Sequence, residues 1–559
     1  MKKLPYGISN YEQLITQDYY YVDKTKYIEI IENLAERNIM CLRPRKFGKT
    51  LFISTLEYYY DISTKSKFKN LFKDTYIGKN PTKLKNSYHI LKFNFSGIDT
   101  ASEESTMKGF TNEVASSVKL FVEKYGLDFY TNFDDQPENI LNNLFKAFYI
   151  QKNERKIYVI IDEYDHFANE LLSFNTSKFK ELVSRNGKVR KWYEILKKGT
   201  ETIVDRIFIT GVAPITLDSL TSGFNICSDK TRDLRFNAML GFTKQELETM
   251  LEQMQIDKKA QEIILPILKE NYDGYKFAND VDEKIYNSNM CLYLLNNYIA
   301  FNRIPENLID TNIASDYKKL SEMLKLCTGE KRKQILEKTL SGEGIITNIT
   351  EKFNPEVEFR DTEFASMLYY MGYLTIAESE LGKSKLKIPN KTMKEIYAEF
   401  FIEVMDKETN LFIYEEDYNQ MLKEMIFEGK IDKIVGTVQK YLKNLSNRDY
   451  QRFDEKYIKI IFYCICMNLK LFNVKSEPEV NRKYPDILLV PRDFNSDYHS
   501  IMIEFKYLKA TEKNKVAVMQ KAAKKQIEEY GEFEEIKNIS NLNKYTIVAI
   551  NDELLIEEV

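Results

Sequence analysis

A short apolar run, Asn38–Leu42 (NIMCL), is followed by RPRKFGKT and then by LFISTLEYYYDI, whose apolar positions recur at helical spacing. This reads as a buried strand, a tight loop and a helix. The run KIYVIIDEYDH (156–166) is apolar until it ends in carboxylates, as a buried parallel strand does when it emerges at a ligand face. RIFITGV (206–212) is a third such strand. From about residue 243 to 390 the pattern turns largely helical. TKQELETMLEQM opens behind Thr243 with Glu246 three residues on, the spacing of a capping box. Residues 361–390 then alternate as helix (DTEFASMLYYM), strand (YLTIAE), glycine-containing turn (ELGKS) and strand (KLKIP), and 400–450 read as amphipathic helices. From 450 onward the order is helix (YQRFDEKYIKIIFYCICMNL), three strands (FNVKSEPEV, PDILLVPR, SIMIEFKYL), helix (NKVAVMQKAAKKQIEEY) and strand (KYTIVAIN).

Length changes this picture by requiring several cores. At 559 residues and 43% hydrophobic the chain exceeds one domain, with roughly three or four as the prior. Lys and Arg number 81 against 84 Asp and Glu, a formal charge of −3, so no global field draws the chain to nucleic acid and any such surface is local. Six cysteines (41, 227, 291, 327, 464, 466) and three histidines show neither zinc-ligand spacing nor a disulfide framework. The start MKKLPYGISNYEQ has no signal-peptide stretch, and IIFYCICM (460–467) falls far short of the roughly 20 residues of a membrane span. A soluble cytoplasmic protein with no membrane partner is expected, and a homo-oligomer stays open.

Two sets of residues carry candidate chemistry. In the first, Gly48 would let backbone amides approach phosphates, Lys49 would reach the β- and γ-phosphates, and the Thr50 hydroxyl would bind Mg²⁺. Arg45 joins these as a nucleotide contact. Asp162 would hold the Mg²⁺ through water, Glu163 would polarise the attacking water, and Thr210, at a strand end, would sense the γ-phosphate. Arg43 stands where the loop's first glycine is expected, placing a side chain at the turn. A strand–helix corner with a chance GKT, and a plain strand-end threonine, are the competing readings. Arg232 and Arg235 (TRDLRFN) are candidate arginine fingers.

In the second set, Asp486 begins one strand and Glu504 sits near the end of the next, so antiparallel pairing brings both to one end of a sheet. Period-2 alternation puts Lys506 on the face of Glu504. Two carboxylates bind Mg²⁺ or Mn²⁺ through oxygen, and Lys506 would orient or deprotonate the water. Glu455 on the preceding helix is a candidate further ligand. Gln526 and Tyr530 lie i and i+4 on one helix face. Together these are the parts of a PD-(D/E)XK phosphodiesterase site. An ordinary strand with an E-x-K pair is the competing reading.

The chain resembles the bacterial AAA-ATPase-like proteins fused to a C-terminal PD-(D/E)XK, RecB-like nuclease domain. The residues that carry this are LPYGISNYEQLI, YYVDKTKYI, RPRKFGKTLFISTL, VIIDEYD, ITGVAPITLDSLTSGFNI, LGFTKQEL, NYDGYKF, MGYLTI, LKIPN and the nuclease motifs, in order along almost the whole chain. Asn225, Asp273 and Tyr275 fall in these motifs without an assignable chemical role. The resemblance implies an α/β multidomain chain: an AAA-type P-loop core (1–242), a helical lid with a winged-helix-like region (243–395), a helical connector (396–449) and a restriction-endonuclease-like α/β domain (450–559). It also implies ATP and Mg²⁺, or Mn²⁺ at the nuclease site, as cofactors and nucleic acid, DNA favoured, as partner. The expected function is ATP-dependent or ATP-gated cleavage of nucleic acid, with phage or mobile-element defence among its settings. The alternative is a nucleotide-switched regulator that binds DNA or protein through an inactive nuclease-like docking domain.

Overall fold

The computed structural model describes residues 2–166, 188–214, 225–305, 307–310, 329–351, 353, 361–444, 454–476, 485–492 and 497–559. Much of ITLDSLTSGFNI, the helix start at 450–453 and the tail of FNVKSEPEV therefore lie outside the described residues. The chain separates into two compact units, Met1–Cys327 with Ile345–Thr392, and Thr328–Gly344 with Met393–Val559.

The first unit is built on strands β1 (Asn38–Leu42), β2 (His89–Asn94), β3 (Ile157–Asp162), β4 (Val204–Gly211) and β5 (Ser228–Asp229). They form one sheet in the order β2-β3-β4-β1-β5, with every neighbouring pair parallel. All six residues of β3 are buried, as expected for a strand covered on both faces. Parallel pairing puts every carboxyl end on one edge, where the loop after β1 and the acids after β3 emerge with β4 between them. The edge strand β2 (HILKFN) keeps polar residues at Lys92 and Asn94 and is only partly buried.

Helix α1 (Lys49–Tyr60) follows the loop after β1, and α2 (Glu103–Tyr125), α3 (Pro137–Ile150) and α4 (Lys188–Gly199) complete this core. Trp192 of α4 is fully buried, its ring 4.9 Å from Phe93 and 5.6 Å from Phe110. Trp192→Ala would cost about 3–5 kcal/mol, because the surroundings cannot collapse onto so large a gap.

Helix α5 (Lys244–Gln253) has the predicted capping box. The Glu246 amide donates to Thr243 Oγ1 at 3.2 Å, and the Thr243 amide to Glu246 Oε2 at 2.8 Å. That carboxylate also takes the Lys24 ammonium at 2.7 Å, tying the N-terminal segment to the helical region. Helices α6 (Lys258–Tyr272) and α7 (Ser288–Phe301) complete that region.

The predicted helix and two-stranded wing are α8 (Asp361–Tyr370), β7 (Thr375–Glu380) and β8 (Lys383–Lys387), joined by a third short strand, β6 (Ile345–Thr347), in an antiparallel sheet ordered β6-β8-β7. This module packs behind the loop after β1. The Lys276 amide donates to Thr375 Oγ1 at 2.8 Å, and a Cβ at Gly372 would lie 2.8 Å from Pro44. Gly372 also has φ +83°, so a larger residue there is excluded by both space and backbone. Asp273 and Tyr275 belong to this packing. The Asp273 carbonyl accepts from Asn390 at 2.8 Å, and Tyr275 meets the Phe47 ring edge-on at 5.0 Å.

The second unit carries a mixed sheet of β9 (Phe472–Ser476), β10 (Ile487–Pro491), β11 (Ser500–Leu508), β12 (Leu542–Ile550) and β13 (Glu553–Glu558), ordered β13-β12-β11-β10-β9. β10 and β11 are antiparallel, as expected, while β11 and β12 are parallel and joined through α10 (Val516–Gly531). Helix α9 (Glu455–Asn468) precedes β9 and sets Phe462 against Phe505 of β11 at 5.5 Å. Helices Lys391–Thr409, Glu415–Lys423 and Asp432–Asn444 belong mostly to this unit, with the Tyr457 hydroxyl 3.4 Å from Met405 Sδ.

Candidate functional site

The loop after β1 ends on Gly48, whose φ of +93° is left-handed backbone that only glycine adopts without strain, and α1 begins at the next residue. Upstream, the Lys46 carbonyl accepts from Ser288 Oγ at 3.2 Å and the Asn289 amide at 3.3 Å, so α7 braces the loop. Phe47 is buried and its carbonyl accepts from the Gly241 amide at 2.9 Å. These anchors hold the loop open over a cleft of about 850 Å³ lined by Arg45, Gly48, Lys49, Thr50 and Glu163, together with Asn94, Ser96 and His166.

Lys49 rests on protein oxygens, 3.2 Å from the carbonyls of both Arg43 and Pro44 and 3.6 Å from Glu163 Oε1. Glu163 has φ +51°, so the backbone turns directly after Asp162. Burial pushes the Glu163 carboxyl up, but Lys49, Arg45 and His166 outweigh it and hold the pKa below the usual value. Asp162 is fully buried, and neither oxygen has a hydrogen bond of normal geometry. Burial and the Glu163 charge raise its pKa, while Lys49 and the nearby Thr50 hydroxyl oppose the rise. A buried carboxylate with both oxygens unpartnered, beside a hydroxyl at a helix start, suits a hard cation.

Arg43 does not project into this cleft. Its guanidinium is buried, donating to the carbonyls of Leu42 (2.7 Å), Thr231 (2.9 Å) and Phe236 (2.6 Å), 4.1 Å above the Phe277 ring. The side chain that stands in for the first glycine of the loop thus anchors the loop from behind. Thr210 is not on the cleft wall either, since its hydroxyl donates to the Cys41 carbonyl at 2.9 Å across the β4–β1 pair. The expectation that it faces a γ-phosphate gives way to a strand-pairing role. Arg235 is held in two hydrogen bonds by Asp233, Arg232 lies 3.6 Å from Glu351, and Asn225 accepts from Lys197 at 2.8 Å. None of the three lines the cleft.

The second centre lies where β10 and β11 part. The backbone ladder ends at Ile487↔Ile503, and beyond it Asp486 Oδ2 accepts the Phe505 amide at 2.7 Å. This sets Asp486 beside Glu504. Lys506 shares the Glu504 face and lies 2.8 Å from its Oε1. The other oxygen, Glu504 Oε2, is buried without a hydrogen-bond partner. Burial, then the Asp486 charge, raises the Glu504 pKa to about 7 against the pull of Lys506 and Lys459. On α10, Gln526 Nε2 donates to Tyr530 Oη at 3.2 Å, and the Tyr530 ring packs with Leu488 and Met502 over the same face.

Glu455 meets this group only through Lys459, whose ammonium is 2.9 Å from Glu455 and 2.5 Å from Asp486 Oδ1. Among the described residues no three His, Cys, Asp or Glu side chains converge as an ion site, so a Glu455–Asp486–Glu504 ligand set is not assembled. The reason is the intervening ammonium. Sequence reading passed over Lys459, although its spacing four residues after Glu455 on a helix was a usable signal. It also passed over Asp165, which is buried and brackets the start of the next segment by accepting from the amides of Val212 and Ala213.

Residues 5–221 match the family model of predicted AAA-ATPases, and residues 453–559 match that of the PD-(D/E)XK nuclease superfamily. The chain carries an AAA-ATPase-like domain in its N-terminal part and a PD-(D/E)XK nuclease-superfamily domain in its C-terminal part. It is 25% identical over 292 residues to an uncharacterized protein in the vnfD 5' region of Azotobacter chroococcum mcd 1, a match covering 51% of this chain and 50% of that protein. The chain thus spans about half the length of the curated relative it matches. No helix among the described residues of this chain is long and apolar enough to cross a membrane.

Proposed function

We propose that the chain cleaves nucleic-acid phosphodiesters, DNA foremost, at Asp486, Glu504 and Lys506, and that MgATP at the Lys49 loop gates this activity, in a setting such as cytoplasmic phage or mobile-element defence. The observation that carries the reading is the buried, unpartnered Glu504 oxygen beside Asp486, with Lys506 on the same face. A Mg²⁺ or Mn²⁺ ion bound there would acidify water and neutralise phosphate charge. Asp486 and Glu504 would hold that ion, Lys506 would orient the water or take its proton, and Gln526 with Tyr530 would support the face on which the substrate lies. At the loop, Lys49 would leave its carbonyls for the β- and γ-phosphates, Thr50 and Asp162 would hold Mg²⁺, Arg45 would contact the phosphates, and Glu163 would polarise water.

Purified protein incubated with labelled single- and double-stranded DNA, with Mg²⁺ or Mn²⁺ and with or without ATP, tests both parts. Cleavage that needs the ion, disappears with chelator and changes with ATP is the expected result. Ion-dependent cleavage indifferent to ATP would remove the gating. Absence of cleavage from DNA and RNA alike, with ATP still bound, would favour the nucleotide-switched docking protein.

A further inference from the structure

Both oxygens of Asp486 are already engaged. Oδ2 takes the Phe505 amide at 2.7 Å, and Oδ1 takes the Lys459 ammonium at 2.5 Å. Lys459 is itself largely buried, with 17% of its side chain exposed, and its second partner, Glu455, lies one turn back on the same helix at 2.9 Å and is more open to solvent. Burial works against the ammonium, yet the two carboxylates outweigh it and keep it charged. The oxygen has a second lone pair, but an ammonium 2.5 Å from Oδ1 places a positive charge where a divalent ion would approach, so the two cations repel and compete for Asp486. Glu455 gives it somewhere to go, since rotation about the lysine stem exchanges a bridge between two carboxylates for a pair with one.

We propose that Lys459 is a resident counter-ion of the cleavage centre, occupying the Asp486 oxygen that a divalent ion needs and so setting the ion concentration at which the centre loads. This rests on the reading of Asp486 and Glu504 as ion ligands. It makes Lys459 a positioning residue and reassigns Glu455 from ligand to the alternative partner of that lysine. Lys459 also offsets the repulsion between Asp486 and Glu504 when no ion is bound, so its loss weakens the ion-free fold.

The test is Mn²⁺ binding to the full chain without nucleotide or nucleic acid, followed by calorimetry or by the spin signal of free Mn²⁺. The component of interest is the one lost in Asp486→Ala. Lys459→Met, which keeps the stem and drops the charge, should bind that Mn²⁺ about tenfold more tightly than wild type, whereas Lys459→Arg should not. Lys459→Met should also melt lower than wild type without ion and recover more on adding Mn²⁺. If Lys459→Met is too unstable, Lys459→Gln, which is neutral but polar, carries the same expectation. Asp486-dependent binding that is unchanged or weaker in the folded neutral variants overturns the competition and leaves the ion ligands standing. Binding that Asp486→Ala does not diminish, or that neither wild type nor Lys459→Met shows, overturns the ligand reading and this proposal with it.

Discussion

The two centres each set lysines against carboxylates, but they hold them differently. At the loop after β1, Lys49 rests at 3.2 Å on two carbonyls and at 3.6 Å from Glu163, and Asp162 is left with no hydrogen bond of normal geometry. At the β10–β11 junction, Lys459 and Lys506 lie 2.5 and 2.8 Å from Asp486 and Glu504. The loop is shaped from outside, by Arg43, Ser288 and the Phe47 packing, and its lysine is free to turn to an anion. The junction is neutralised from within, each lysine paired with a carboxylate that the proposed ion would have to reach. On the proposed reading, the first arrangement leaves a lysine on neutral carbonyls for a polyphosphate to take, whereas the second makes an incoming ion compete with a lysine already on the carboxylate.

The largest effect should come from the junction. Asp486→Ala, Glu504→Ala and Lys506→Ala should each reduce cleavage at least a hundredfold, about 2.7 kcal/mol, with DNA binding much less affected. Because the groups serve one reaction, the triple variant should be barely slower than the worst single one. Wild-type cleavage by Glu504→Ala would end the comparison, since the junction would then not be the cutting site.

Next comes the brace behind the loop. Arg43→Gly, which restores the ordinary phosphate-loop pattern, should destabilise the first unit by about 2–3 kcal/mol, because three carbonyls lose their buried donor. Denaturant melts of the two proteins measure this, and equal midpoints would mean that the loop needs no anchor. Lys49→Ala should weaken ATP binding tenfold or more with the fold intact, and Glu163→Gln should bind ATP but not turn it over. Unchanged affinity in an equilibrium titration of Lys49→Ala would remove the loop from the nucleotide site.

The last effect is on stability with pH. Burial and the Asp486 charge raise the Glu504 pKa from 4.5 to about 7, so the folded chain binds that proton more tightly than the unfolded chain does. Stability from this group is therefore greatest below about pH 4.5, falls by at most roughly 1.4 kcal/mol per pH unit up to about 7, and then levels off. Glu504→Gln should flatten that part of the profile in ion-free melts across pH 4.5 to 8. Parallel profiles would show that Glu504 is not held in a proton-binding pocket.

Local chemistry was legible wherever one element carried it. The GKT loop, the strand ending in Asp162 and Glu163, the capping box at Thr243 and the alternation of Glu504 with Lys506 depend on residues within one helix, strand or turn. β2 was missed because an edge strand with lysine and asparagine has weak apolar alternation, and β6 because three residues carry no period. Thr210 was misplaced because its partner, the Cys41 carbonyl, comes from a strand far away in sequence.

By itself, then, the sequence showed a GKT turn opening a helix, a strand ending in acids, and Glu504 alternating with Lys506. Spacing within an element sets which side chains share a face, and that needs no tertiary information. Only the tertiary structure decided which way Arg43 points, that the wing packs behind the loop at Gly372, and that Lys459 lies on Asp486. Each of these joins residues from different elements, and whether a buried charge is turned to a ligand or to its own protein depends on which carbonyls and carboxylates the fold places around it.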